Sequence, residues 1–284
     1  MRRATAFIIF ATLTFACSFT PPTTGDGVDA APNVQVDAHV PSVDGAVNET
    51  DAAVGLDAPP QITCTTSDGS LKLCLEFEDT GLAVAIDGSG HHHDAAMTAA
   101  SATARDVPDN SRAIGVVGTT AILIPDTNDF DNQTVTISAW VQRSALPSSG
   151  QRFGVVDVGR RQAALAIDDQ GRVTCFVKTS ANIWFIPGGS TTLNQWALTA
   201  CTYDAPTLCA YSFRNGSSTP SVTCGDTDGA TLDTSTASGS AIGALFDTQN
   251  NPSSRLAGNV DSVRVYSRAL SETELCNANA LSGC

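Results

Sequence analysis

Asp87-Gly-Ser-Gly-His-His-His-Asp-Ala-Ala96 places three of the chain's four histidines side by side between aspartates. Imidazole nitrogens suit zinc, copper or nickel, whereas carboxylates and carbonyls suit calcium and magnesium. Adjacent side chains on a loop diverge, so three consecutive histidines are not expected to meet at one transition-metal ion and read as polar loop residues. The carboxylates are better placed for chemistry. Glu78, Asp87 and Asp94 flank a glycine-rich loop that also exposes carbonyls, and calcium takes six to eight oxygens. The same aspartates read equally well as caps of tight turns.

The elements that must carry this loop are strands. Leu71–Glu78, Val135–Val141 and Val260–Tyr266 alternate apolar and polar residues, the pattern of a strand with one buried face. Further strands are expected near 112–117, 120–125, 153–158, 161–167, 172–178, 193–203, 207–214, 220–224 and 240–246, with hairpin turns at Asp204-Ala-Pro206 and Asp168-Asp-Gln-Gly171. Many short strands with almost no helical periodicity imply an all-β, two-sheet antiparallel sandwich over residues 62–284. One short helix is expected late: Ser271-Glu-Thr-Glu-Leu275 reads as a capping box, with Ser271 as N-cap and Glu274 reaching back. It would close an edge or an end of the sandwich.

The residues before this domain are of another kind. Arg2-Arg3 precedes an apolar run to Ala16 that is too short to span a bilayer, as in a secretory signal peptide covering 1–16. Its end, Leu13-Thr-Phe-Ala-Cys17, is similar to the lipobox of bacterial lipoproteins, which implies a diacylated Cys17 as the sole membrane attachment. Plain secretion with cleavage after Ala16 is the alternative. From 17 to 61 the chain is rich in Ala, Asp, Val and Pro, with no Lys or Arg, and cannot bury enough surface to offset its ordering entropy. About 40 such residues would span about 35 Å as a coil and about 130 Å when extended, the reach of a tether.

Nine cysteines are present, and lipidation of Cys17 would leave eight for four disulfides in an oxidising compartment. Cys64 with Cys74 and Cys276 with Cys284 are the natural local pairs. Cys175, Cys201, Cys209 and Cys224 allow three pairings, left open here. No Cys-x2-4-Cys spacing suggests zinc. A net charge of −14 opposes binding to nucleic acid, because phosphate contacts require clustered Lys and Arg.

Three segments resemble one family. Arg112-Ala-Ile-Gly-Val-Val-Gly118 through Ile124, followed by Phe130 and Val135-Thr-Ile-Ser-Ala-Trp-Val141, is similar to a strand-turn-strand of laminin-G-like, concanavalin A-like jelly-roll domains. So is the hairpin from Gln195-Trp-Ala-Leu-Thr-Ala-Cys-Thr-Tyr-Asp204 to Gly216. Leu256-Ala-Gly-Asn-Val-Asp-Ser-Val-Arg-Val-Tyr-Ser-Arg-Ala-Leu270, running into the capped helix, resembles the family's closing signature. The resemblance covers about 70–280 and implies a jelly roll with Trp140 and Trp196 filling the sandwich and Gly118 and Gly216 making turns. It also implies a structural calcium in which Asp261 joins Glu78, Asp87 and Asp94.

Such folds serve both glycoside hydrolases and binding modules. Hydrolases require two carboxylates about 5–5.5 Å or 6.5–9.5 Å apart. Glu76-Phe-Glu-Asp79 lacks the third carboxylate of the laminarinase-like motif, and the only other glutamates are at 49, 272 and 274. No G-x-S-x-G elbow or phosphate-binding glycine motif occurs. The sequence therefore predicts a non-catalytic module of a bacterial cell envelope, held by an outer-membrane lipid anchor or secreted. It would recognise carbohydrate, with Trp184 the candidate stacking residue. Adhesion to an extracellular protein is the alternative, and a hydrolase comes third.

Overall fold

A computed structural model of the chain describes residues 64, 68–78, 83–97, 105–106 (backbone), 111–116, 121–214, 217–234, 239–281 and 283–284. The chain divides into two units, Met1–Ala53 and Val54–Cys284, and every described residue belongs to the second. The expected signal peptide, Cys17, the whole tether and the turn glycines Gly118 and Gly216 lie outside the described residues.

The elements run β1 (Leu71–Leu75), β2 (Val84–Ala85), β3 (Ala95–Ala96), β4 (Arg105–Asp106), β5 (Arg112–Val116), β6 (Ile122–Ile124), a 3-10 turn (Asn128–Phe130), β7 (Val135–Arg143), β8 (Arg152–Val158) and β9 (Ala163–Asp168). They continue as β10 (Arg172–Lys178), β11 (Ile183–Ser190), β12 (Ala197–Asp204), β13 (Thr207–Arg214), β14 (Ser221–Asp226), β15 (Ser240–Ile242), β16 (Leu245–Phe246), β17 (Pro252–Ser253), β18 (Gly258–Tyr266) and α1 (Glu272–Ala278). They form the expected antiparallel sandwich. The first sheet has the order β14-β13-β12-β7-β18-β5-β4, with β1 also paired to β18; the second has β11-β10-β9-β8-β15-β6-β3-β2; β16 and β17 form a separate hairpin.

Alternation along the strands builds the core between the sheets. Ala163, Leu165 and Ile167 of β9 and Val173, Cys175 and Val177 of β10 face Ile137, Ala139 and Val141 of β7 and Val260, Val263 and Val265 of β18. Burying each large aliphatic side chain contributes about 2 kcal/mol. The Asp204–Thr207 and Asp168–Arg172 hairpins fall where the sequence places them.

The structure adds what the sequence left open or placed differently. Cys175 bonds Cys201, joining β10 to β12 across the two sheets, and Cys209 bonds Cys224 between adjacent strands; Cys64–Cys74 and Cys276–Cys284 form as expected. Trp140 and Trp196 do not fill the inter-sheet space. They sit in a second apolar cluster with Leu198, Phe213, Tyr266 and Leu275, on the outer face of the first sheet, because residues of even number on β7 point away from Ile137, Ala139 and Val141. Helix α1 carries the full Ser271–Glu274 capping box. Rather than closing an edge, it lays Leu275 and Cys276 on this second cluster. Besides the two-residue β2, β3, β4 and β17, the missed strand is the eight-residue β11, whose Pro187-Gly188-Gly189 reads as a break in sequence. Proline is tolerated there because β11 is an edge strand. A Cβ on Gly188 would approach within 2.9 Å of the Ala210 carbonyl oxygen, so glycine lets this strand press against β13 of the other sheet.

Candidate functional site

The outer face of the second sheet carries a groove of about 200 Å³. Its floor is made of small residues, Ala164 and Ala166 of β9 and Thr174 of β10, and its walls include Phe176, Phe185, Arg152, Arg161 and Leu245. Arg161, Phe176, Lys178, Ile183 and Asp247 line an adjoining depression of about 250 Å³, so the two form one elongated track. Phe176 and Phe185 are cross-strand partners on β10 and β11, with ring centroids 5.0 Å apart. The Arg152 guanidinium lies 4.4 Å over the Phe185 ring, a cation–π contact that fixes both side chains.

One wall is held by a buried carboxylate. Asp157 of β8 lies opposite Ala164, fully buried, and accepts the Phe246 amide at 2.8 Å and the Arg161 amide. It thereby ties both the β16–β17 hairpin and the Arg160–Arg161 turn to the sheet. Burial pushes its carboxyl up to about 7, against the lowering influence of these amides and of the Arg161 and Arg160 charges. Gly154 permits the hairpin to lie so close: a Cβ there would fall 2.3 Å from the Ala244 carbonyl carbon.

Three donors or hydroxyls on this face have no hydrogen-bond partner. Arg152 Nε, Arg161 Nε and Thr174 Oγ1 are buried and unsatisfied, and all three residues line the groove. Unmet buried polar atoms are costly, and sites that take polar ligands are a recurrent place to find them.

Trp184, the expected stacking residue, lies on the neighbouring register. It is half-buried and packs against the inter-sheet core, as does Ile186. Strand alternation instead turns Ile183 and Phe185 outward, at 51% and 43% exposure. The signal was present as period two in Ile183-Trp-Phe-Ile186, but without β11 as a strand the outward register was not legible.

The four carboxylates expected to cradle calcium do not converge as one group of ligand atoms. Among the described residues, ligand atoms of three or more His, Cys, Asp or Glu side chains converge only at Cys64/Cys74/Glu76 and at His91/His93/Asp129, and neither group contains Glu78, Asp87, Asp94 or Asp261. Asp87 is occupied as a loop organiser. Its Oδ1 accepts the Cys74 and Ser89 amides, and its Oδ2 accepts the Ser89 hydroxyl and the His93 amide, at 2.7–3.0 Å. Asp94 Oδ1 accepts the Asp87 amide at 2.9 Å. Glu78 and Asp261 serve another segment, accepting the Arg112 amide and the Ser111 hydroxyl.

Glu76 is also committed. It pairs with the buried guanidinium of Arg264 and accepts the Ser262 hydroxyl at 2.7 Å, while Arg264 Nη1 donates to Asn279 Oδ1 at 2.8 Å. A bulge between Asp261 and Arg264 on β18 puts both charged side chains on the helix side of the first sheet. This network joins β1, β18 and the end of α1.

The family model of the concanavalin A-like lectin/glucanases superfamily matches residues 117–276. No curated protein sequence matches significantly. Among solved structures, the botulinum neurotoxin serotype D binding domain superposes with a TM-score of 0.55 at 13% identity, over 74% of this chain and 51% of that one. Domain 4 of an extracellular GH43 arabinanase from Geobacillus stearothermophilus, in complex with arabinotriose, gives 0.54 at 16% identity, over 74% of this chain and 98% of that one. A sialidase from Trypanosoma rangeli gives 0.52 at 17% identity, over 72% of this chain but only 32% of its own. The chain thus spans at most about half of the sialidase and toxin chains. At these identities the likeness is one of fold. On the extent of the family match, the chain belongs to the laminin-G-like branch of the concanavalin A-like lectin/glucanases superfamily.

Proposed function

We propose that the protein is a non-catalytic binding module that captures carbohydrate along the outer face of its second sheet, favouring glycans that carry carboxylates. The observation that carries this reading is the track itself, left open among the described residues. Aromatic Phe176 and Phe185 stand beside a floor of small residues, with the unsatisfied Arg152 Nε, Arg161 Nε and Thr174 Oγ1 around it. Ring faces suit the C–H faces of sugars, and a shallow elongated track suits a polymer better than a compact small molecule. Arg152, Arg160 and Arg161 line it, while Lys178 is paired with Asp233 at 2.6 Å; in a chain of net charge −14, these three guanidinium groups favour anionic ligands.

The arabinotriose complex of the arabinanase domain supports carbohydrate as the ligand class. Two features favour binding over hydrolysis. Asp247 is the one carboxylate lining the track among the described residues, and Glu76 is held in an ion pair on the other sheet. Export to an oxidising compartment agrees with the four disulfides, and the lipid anchor at Cys17 remains part of the proposal.

The test is an array of neutral and acidic polysaccharides probed with the purified full chain. Saturable binding to acidic members, weaker to neutral ones, is expected. A blank array, with retention by envelope proteins instead, would replace this reading with protein adhesion. Release of reducing ends would replace it with hydrolysis.

A further inference from the structure

Two of the three loop histidines converge, against the sequence expectation. His91 Nδ1 and His93 Nε2 lie 3.2 and 2.9 Å from the same oxygen, Asp129 Oδ2, and the three ligand atoms are all within 4.8 Å of one another. The reason is local. His92 adopts a left-handed backbone, φ 61°, which brings residues 91 and 93 to one side. Their rings are nearly parallel, 19° apart with centroids separated by 5.8 Å.

We propose that His91, His93 and Asp129 form a binding site for a divalent transition-metal ion of the zinc class. Two imidazoles and one carboxylate are the donor set of zinc, cobalt or nickel rather than of calcium. With metal–ligand bonds of about 2.0–2.1 Å, neighbouring donors of a tetrahedral ion are about 3.3 Å apart, close to the two separations observed. Side-chain exposures of 29% for His91, 11% for His93 and 39% for Asp129 leave one side open for a water or a ligand oxygen.

The site is held from behind. The His93 amide donates to Asp87 Oδ2 and the His91 amide to the Ser89 hydroxyl, so the loop organised by Asp87 fixes both backbones. The Phe130 ring packs 5.1 Å from that of His93. Thr127 caps the 3-10 turn by accepting the Asp129 amide, which positions the carboxylate. Such support of ligand residues strengthens a metal site. An ion here would clamp the 87–94 loop to the 127–131 turn.

The test is titration of the metal-free full chain with zinc, and with cobalt read by its visible d–d absorption. One ion per chain is expected, with a tetrahedral cobalt spectrum. His91→Ala and His93→Ala together should abolish binding, Asp129→Asn should weaken it about tenfold or more, and His92→Asn, which keeps the left-handed backbone at low cost, should leave it unchanged. The last variant distinguishes a built site from loose chelation by a run of histidines. Equal loss in His92→Asn and His91→Ala, an undiminished isotherm in the double variant, or no uptake by a chain whose circular dichroism is native would each overturn the proposal.

Discussion

The two sheets follow the same alternation, yet their outer faces differ. On the first sheet, Trp140, Trp196, Leu198 and Phe213 point outward and are covered by α1 and Leu281, with the Glu76–Arg264 pair sealed beneath. On the second, the outward residues are Ala164, Ala166, Thr174, Phe176 and Phe185, and a groove is left between them and the β16–β17 hairpin. One face therefore behaves as a second core. The other keeps aromatic rings and unmet donors available to a ligand. Substitutions on the covered face should cost stability, whereas those on the open face should cost binding.

The largest effect is expected on the covered face. Arg264→Met would leave the Glu76 carboxylate without its guanidinium and detach Asn279, and loss of one partner of a buried pair costs about 3–5 kcal/mol. Urea unfolding checks this. Leu275→Ala, which opens a cavity beneath the helix, should cost about 2–5 kcal/mol by the same measurement. If both are neutral, the second cluster is not a core.

The next effect is pH-dependent and belongs to the wall of the groove. The buried Asp157 has its carboxyl raised to about 7 from an ordinary 3.8. The folded state thus binds a proton that the unfolded state has released between these values. Its contribution to stability is complete below about pH 4 and is lost as pH rises through about 7, a change of a few kcal/mol. The difference in unfolding free energy between the protein and Asp157→Asn should vary in that direction between about pH 5 and pH 8. A flat difference would show that the wall is not anchored by a protonatable group.

The smallest effect concerns calcium. With both Asp87 oxygens already accepting amide and hydroxyl protons, melting in excess calcium and in chelator should differ by no more than about 2 °C, less than 1 kcal/mol for a domain of this size. A larger shift would support the carboxylate loop as a cation site.

Much of the fold was legible because it rests on local pattern. Period two marked β1, β7 and β18, turn residues marked the hairpins, and Ser271 with Glu274 marked the helix. Alternation does not reveal which side of a strand faces the other sheet, so Trp140 and Trp196 were assigned to the wrong core. Pro187-Gly-Gly hid β11 and with it the outward Phe185. The Cys175–Cys201 pairing depends on how closely two sheets approach, which spacing along the chain does not encode. The histidines show the limit most clearly. Neighbouring side chains do diverge, but one left-handed residue between them, His92, brings the outer two back together.

The most direct test of the open-face account is to compare Phe185→Ala with the unaltered full chain by calorimetric titration against an acidic polysaccharide and by thermal melting. Phe185 is exposed and packs chiefly on Arg152 and Phe176, so its loss should change stability by less than about 1 kcal/mol. The account predicts binding weakened about tenfold or more, the loss of roughly 1.4 kcal/mol or more of affinity. Unchanged binding at an unchanged melting temperature would contradict it and move the ligand to another surface.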